Sequence, residues 1–182
     1  LSRDTFNVVF AGNLGDAQGL DLMMEAAREL KGSGIRWYLV GDGRARERLE
    51  NLAREYALEE DVVFTGRVSE AEANNYAAFA DAAYLSFRDN PLFHMTIPAK
   101  LQTYLACGAP VLAAAGGESA AIIRDHRCGI AVEPRLEPLV EAAIMYGLEI
   151  KPENRIKNAG DLYYFLYVYG NNENASPKDM QR

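Results

Sequence analysis

The sequence predicts an α/β domain built on one doubly wound parallel sheet of about six strands, with helices on both faces. Three observations predict it. Short apolar runs alternate with longer segments of helical period almost throughout the chain. The apolar runs are continuous rather than alternating, as in strands buried on both sides. Several of the turns that follow them carry glycine, as at Gly12, Gly41, Gly66 and Gly116.

The elements follow in order. "NVVFAG" (7–12) is a strand ending in glycine, and "GLDLMMEAARELKGSG" (19–34) is a helix with Leu20, Met23, Met24, Ala27 and Leu30 on one face. Lys31 and Gly32 close that helix. "IRWYLVGDG" (35–43) is a second strand, and "RARERLENLAREYAL" (44–58) a charged helix with Leu49, Leu52, Ala53 and Tyr56 inward. "DVVFTGR" (61–67) is a third strand. Ser69 with Glu72 three residues on reads as a capping box opening a helix to about Ala80. "AAYLSF" (82–87) is a fourth strand. A loop (88–98), a helix (97–107) and a fifth strand, "PVLAAA" (110–115), come next. Gly116–Gly117 leads into a short helix (118–129), then a sixth strand, "IAVEP" (130–134), and two helices near 136–147 and 153–169. The reading is one domain over 1–170 and a polar, fraying tail over 171–182. The aromatic run "YYFLYVYG" (163–170) suits either packing on its own sheet or a half-buried interface.

Composition narrows the function classes. A chain of 182 residues is long enough to bury roughly 70% of its unfolded surface. A formal net charge of −7 argues against nonspecific nucleic-acid binding, which needs a basic face. No apolar run approaches the 18 or so residues of a membrane span. Cys107 and Cys128 read as two buried free thiols with no disulfide or metal pattern, which favours a reducing, cytoplasmic setting.

An open parallel sheet binds ligands beyond the carboxyl ends of its strands, where the strand order reverses. In the order 3-2-1-4-5-6 that point lies between strands one and four. The two loops there, "GNLGDAQG" (12–19) and "RDNPLFHMTIP" (88–98), are also the two unusual loops of the sequence. The first carries Gly12, Gly15 and Gly19 ahead of a helix, which lets a backbone approach a phosphate closely. Its G-x-x-G-x-x-x-G spacing is neither the dinucleotide G-x-G-x-x-G nor a P-loop. In the second loop, Thr96 is expected to cap the following helix, with Pro98 in its first turn. That would aim the amides near Met95, Thr96 and Ile97 into the crevice, with Lys100 and Arg88 as nearby cations. Lys100 equally suits a solvated surface position. Leu92 and Phe93 read as core plugs under the loop, and His94 as a donor to a phosphate or sugar. On the same edge, Gly41 and Asp42 end strand two, and Arg67 and Val68 follow strand three. These suit a base or ribose, although Asp42 also suits a helix cap. No nucleophile–histidine–acid set, H-E-x-x-H or G-x-S-x-G is present, so no catalytic residue is assigned.

Taken together, "GNLGDAQGLDLMMEAA", "WYLVGDGRARERLENLA", "VVFTGRVSEAEANNYAAFADAAYLS", "NPLFHMTIPAKLQTYLACGAPVLAAAGGESAAII" and "CGIAVEP", in this order, resemble the C-terminal, donor-binding domain of GT-B fold glycosyltransferases. The likeness is to the large retaining group numbered family four. Within it, the branch resembles bacterial surface-polysaccharide amino-sugar transferases such as L-fucosaminyltransferases. It covers about residues 6–134 and continues loosely into "NRIKNAGDLYY".

The resemblance implies a Rossmann-like domain that is one half of a GT-B fold. It implies a nucleoside diphosphate sugar, most often UDP-linked, as substrate; no cofactor and no metal is expected to be required, because no acidic cluster of metal-ligand type is read at the crevice. It further implies a glycan or polyprenyl-linked acceptor held by an N-terminal domain that this chain lacks. A whole enzyme of that kind would be cytoplasmic and peripheral to the inner membrane. Residues 12–18 match the loop facing the donor diphosphate, where many relatives place an arginine at the Asn13 position and a lysine at the Gln18 position. Here both are neutral amides, and Lys100 is the candidate compensating cation. The family's two glutamates fall at Met95 and Thr103, so a ribose-binding carboxylate is replaced by a shorter hydroxyl. The rival functions are an NAD-dependent dehydrogenase, a nucleotide-sugar epimerase and a non-catalytic binding module.

Overall fold

The computed structural model describes residues 1–2 and 4–147. The expected helix over 153–169, the aromatic run and the polar tail lie outside the described residues.

Among the described residues, six strands form one parallel sheet: β1 (Phe6–Ala11), β2 (Ile35–Val40), β3 (Val62–Gly66), β4 (Ala82–Ser86), β5 (Val111–Ala114) and β6 (Gly129–Val132). Their spatial order is β3-β2-β1-β4-β5-β6, the order expected for a doubly wound sheet. The central strands β4 and β5 are buried along their whole length, whereas β6 at the edge is mostly half-exposed. That gradient is why the central runs read as unbroken apolar stretches.

Among the described residues, seven helices cover the two faces: α1 (Asp21–Glu29), α2 (Arg46–Glu55), α3 (Glu70–Ala78), a one-turn α4 (Pro91–His94), α5 (Ala99–Ala106), α6 (Gly117–Asp125) and α7 (Leu136–Gly147). The period-two alternation of each strand divides its side chains between the faces. Val8, Phe10, Trp37, Leu39 and Tyr84 join Met23 and Met24 of α1, Leu49 of α2 and Leu139 of α7 in one core cluster. Trp37 meets Tyr84 edge to face at 5.9 Å, an arrangement that adds to the burial of two large rings. Ala83, Leu85, Val111 and Ala113 face the other way, onto Leu101 and Tyr104 of α5 and Ile123 of α6. Val9, Tyr38 and Val40 pack under Ala73 and Tyr76 of α3. Ser69 and Glu72 form the expected capping box at the start of α3.

The pairing of β1 is asymmetric, and that asymmetry opens the crevice. Against β2 it runs through six residue pairs, from Phe6–Ile35 to Ala11–Val40. Against β4 it stops at Val9–Ala83. The carboxyl ends of β1 and β4 therefore part where the strand order reverses. The buried Tyr104 hydroxyl of α5 replaces a missing rung, accepting from the Ala11 amide at 2.9 Å.

Local details differ from the sequence reading. Residues 88–98 hold the extra helix α4, because Asn90 caps the Leu92 amide and Pro91 suits a first helical position. The first long helix runs only over Asp21–Glu29, after a 3-10 turn at Asp16–Gln18. Cys128 is buried, but Cys107 is only half-buried; both are free.

Candidate functional site

A shelf of glycines lines the carboxyl ends of β1, β2 and β3. Gly12, Gly41 and Gly66 all have φ in the range that favours glycine: 138°, 133° and 75°. The Gly41 amide donates to the Gly66 carbonyl at 3.0 Å, and a Cβ built on Gly41 would sit 2.0 Å from the Gly12 carbonyl oxygen. Leu14 and Asp42 close the same seam, the Leu14 amide donating to the Asp42 carbonyl at 2.9 Å. The result is a floor of glycine backbone about 10 Å wide, two strand spacings, with the Arg46 guanidinium against its Gly66 end and the Lys100 stem against its Gly12 end.

Lys100 stands at the crevice end of that floor. Its stem packs against Gly12, where a Cβ would come within 2.6 Å of Cε. Its Nζ lies 5.0 Å from the Phe10 ring centroid and donates to Oε1 of Gln18 at 3.0 Å. No ion pair to Lys100 forms among the described residues. Burial pushes its pKa down from the ordinary lysine range, since the charged form loses water and gains no counter-charge. Beside it is the start of α5, where Pro98 occupies the N-cap with no side-chain cap. The first-turn amides of Ala99 and Lys100 precede the helical ladder and carry its positive dipole end.

The 88–98 loop is held from below. Phe93 stacks on Phe87 at 5.3 Å, so the Phe93 half of the expected core plug is present. Leu92, by contrast, is 60% exposed, with Met95 and Ile97 also outward. His94 packs over the start of α6, where a Cβ on Gly117 would lie 2.0 Å from the His94 carbonyl oxygen. Its Nε2 faces Asp89 Oδ1 at 3.1 Å, so that ring nitrogen is already engaged. Ser119 Oγ donates to the Thr96 carbonyl at 3.0 Å, pinning the loop to α6.

Several expected placements are corrected. Thr96 does not cap α5, because its hydroxyl donates to the Phe93 carbonyl at 3.0 Å and Pro98 takes the cap position. The Met95 and Thr96 amides donate to Leu92 and Phe93 carbonyls, so they are not presented to the crevice. Arg88 is not a companion of Lys100. Its Nε donates to the Asp16 carbonyl at 2.7 Å and its Nη2 reaches Asp21 at 3.5 Å. Asp42 caps no helix, since the N-cap of α2 is Ala45. Its carboxylate instead accepts from the Gly43 amide at 2.8 Å and braces the 41–45 turn. Asn13 is exposed beside Gly15, Arg67 is exposed, and Val68 is half-buried on the α3 cluster. Thr103 is exposed on α5, three residues beyond Lys100.

Sequence reasoning missed four residues that shape the site: Phe10, Ser86, Tyr104 and Arg48. Tyr104 had a readable signal, its i+4 spacing from Lys100 on one helix face. Ser86 and Phe10 looked like ordinary strand residues. Arg48 contacts Asp21 directly and joins Asp16, Arg44 and Arg88 in a charge network behind the 12–19 loop. A cavity of about 690 Å³ opens there, between Gly19, Asp21, Arg48, Arg88 and Pro134. Its guanidinium groups are already paired with Asp16 and Asp21. Among the described residues, no group of three or more histidines, cysteines or acids is arranged to hold a metal ion. Nor is any helix there long and apolar enough to cross a membrane.

A family model for glycosyl transferases group 1 matches residues 5–146 of this sequence. The chain belongs to that family. Among curated relatives, it is 28% identical over 125 residues to the probable glycosyltransferase WbjE of Pseudomonas aeruginosa, covering 66% of this chain and 30% of the relative. It is also 28% identical over 166 residues to the D-inositol 3-phosphate glycosyltransferase of Thermomonospora curvata, covering 85% of this chain and 37% of the relative. The chain thus spans about a third of the length of these relatives. Its fold matches the C-terminal domain of the group 1 glycosyl transferase LpcC from Francisella tularensis, with a TM-score of 0.67 at 20% identity over 91% of this chain and 86% of that one. Anabaena HepE in complex with UDP and glucose matches with a TM-score of 0.67 at 17% identity, over 89% of this chain and 43% of the other.

Proposed function

We propose that this group 1 glycosyltransferase chain binds a nucleoside diphosphate sugar, UDP-linked, and serves as the donor half of a retaining transferase. The observation that carries this is Lys100: a half-buried ammonium with no counter-ion among the described residues, placed where a glycine floor, a helix start and the strand-order reversal meet. A desolvated cation without a counter-charge favours an anion. UDP in Anabaena HepE and in Staphylococcus aureus TarM supports uridine as the base.

In this reading the diphosphate lies over Gly12 and Lys100. The nucleoside extends along the glycine floor past Gly41 and Asp42 toward Arg67 and Val68. Lys100 occupies Oε1 of Gln18, which leaves the amide Nε2 of Gln18 as a further donor. Negative charge develops on the leaving diphosphate as the sugar departs. Lys100 and the α5 amides stabilise it more in the transition state than in the ground state. The acceptor, a glycan or polyprenyl-linked sugar of bacterial surface polysaccharide, is bound by an N-terminal domain. The sugar is of the amino-sugar class, and the whole enzyme works at the cytoplasmic face of the inner membrane. Thr103 supports one other reading, a non-catalytic nucleotide-sugar module, because the ribose-facing carboxylate of the family is absent.

The test is calorimetric titration of the chain with UDP, GDP, ADP and NAD, repeated on Lys100→Ala. UDP binding that weakens tenfold or more is expected, the cost of about 1.5–3 kcal/mol for a charge-assisted bond. Binding indifferent to Lys100 would remove the phosphate assignment.

A further inference from the structure

We propose that Ser86 is a positioning residue for the donor-phosphate site: its hydroxyl fixes Gln18, and Gln18 fixes the Lys100 ammonium. The proposal rests on the donor-site reading above.

Ser86 is the last residue of β4 and is 1% exposed. A buried hydroxyl must donate its proton to something, or its burial is costly. Here Oγ donates to the Gln18 carbonyl at 2.6 Å. Two residues on, the Arg88 amide donates to the Ala17 carbonyl at 3.1 Å. The end of β4 thus grips the 3-10 turn at adjacent residues. The turn is closed internally as well, the Gln18 amide donating to the Gly15 carbonyl at 3.1 Å.

Gln18 is consequently held at both ends. Its main chain is tied to β4, and its side chain accepts from Lys100 Nζ at 3.0 Å. Both ties come from the β4 side of the crevice, Ser86 at the end of β4 and Lys100 in α5. Because β1 and β4 separate beyond Val9–Ala83, no ladder bond holds the 12–19 loop to β4 at this level. The Ser86 hydroxyl and the Arg88 amide share that task, and Ser86 is the one that holds Gln18. Without it Arg88 still ties Asp16 and Ala17, but Gln18 itself loses its bond to β4, and the acceptor for the ammonium shifts with it. Ser86 itself touches no ligand-facing atom in this arrangement; it acts through Gln18 and Lys100.

The experiment measures UDP affinity by calorimetry on the full chain for wild type, Ser86→Ala, Ser86→Thr, Lys100→Ala and the Ser86→Ala/Lys100→Ala pair. Ser86→Ala is expected to weaken UDP about fivefold, the loss typical of one neutral hydrogen bond. Ser86→Thr, which keeps the hydroxyl, should recover most of that. In the Lys100→Ala background, Ser86→Ala should change nothing further, because its effect runs through the ammonium. Equal losses in both backgrounds would overturn the proposal and leave Ser86 a purely structural residue. Should Ser86→Ala fail to fold, Ser86→Cys keeps the volume while weakening the donor, and carries the same cycle.

A ligand-free readout separates this idea from the donor reading. The Gln18 side-chain amide resonance in ¹⁵N-labelled protein should move in both Ser86→Ala and Lys100→Ala. An unmoved resonance after Ser86→Ala overturns the latch whether or not any nucleotide binds. A moved resonance in a protein that binds no UDP would keep the latch but overturn the donor reading, and with it the role assigned to Ser86 in that reaction.

Discussion

Lys100 Nζ sits 3.0 Å from Gln18 Oε1 and 5.0 Å from the Phe10 ring centroid, and no carboxylate answers its charge among the described residues. A neutral amide and an aromatic face hold the cation in place without neutralising it. The sign of its pKa shift therefore has two opposite consequences.

For the folded chain without ligand, burial lowers the Lys100 pKa below the value of about 10.4 of an unfolded lysine. Between those two values the unfolded chain binds more protons, so this residue makes stability rise with pH there. An anionic ligand needs the ammonium, so UDP affinity should fall with rising pH over the same window. It should fall at a lower pH than for an exposed lysine. Calorimetry in buffers of different ionisation enthalpy should detect proton uptake on binding. Lys100→Met should abolish that uptake and weaken UDP about tenfold or more, while thermal stability holds or rises. Falling stability together with unchanged affinity would contradict the assignment.

Gly41→Ala should damage both fold and site. The new Cβ would lie 2.0 Å from the Gly12 carbonyl oxygen, at a φ of 133° that alanine adopts only under strain. Strain of this kind costs about 1–3 kcal/mol before the clash is counted. An unfolding free energy from chemical denaturation lower by that amount or more, with loss of UDP binding, is the expected result. Gly32→Ala, where no atom lies within 4 Å of the new Cβ, serves as the comparison for φ strain alone.

Tyr104→Phe should cost stability although it removes one oxygen atom. The Ala11 amide loses its acceptor at 2.9 Å just where β1 and β4 part. A buried donor left unpaired costs about 1–3 kcal/mol. Urea unfolding would show it. UDP affinity should fall less than in Lys100→Met, since the floor shifts but the charge remains.

Thr103→Glu tests whether the ribose contact of the family survives. Thr103 is exposed, so the change should leave the melting temperature within a degree or two, as surface substitutions usually do. If ribose passes α5 at this level, UDP affinity should rise about tenfold, the worth of a charge-assisted bond. A flat response would show that the nucleoside takes another course.

The sequence by itself determined the architecture. Continuous apolar runs separated by helical periods can bury both strand faces only in a covered parallel sheet, and the observed order β3-β2-β1-β4-β5-β6 followed. It also located the crevice, because the two unusual loops of the sequence, 12–19 and 88–98, flank the reversal point. Only the tertiary structure decided which side chains meet there. Arg88 and Lys100 flank the same loop in sequence, yet Arg88 is drawn to Asp16 and Asp21 on the α1 side. Thr96 looked like a helix cap, but the extra turn Pro91–His94 gave its hydroxyl a nearer acceptor in Phe93. Ser86 and Tyr104 were invisible as site residues. Their partners, the Gln18 carbonyl and the Ala11 amide, lie 68 and 93 residues away in the chain. Backbone groups carry no sequence signature, so pairings of this kind emerge only when strands and helices are set side by side.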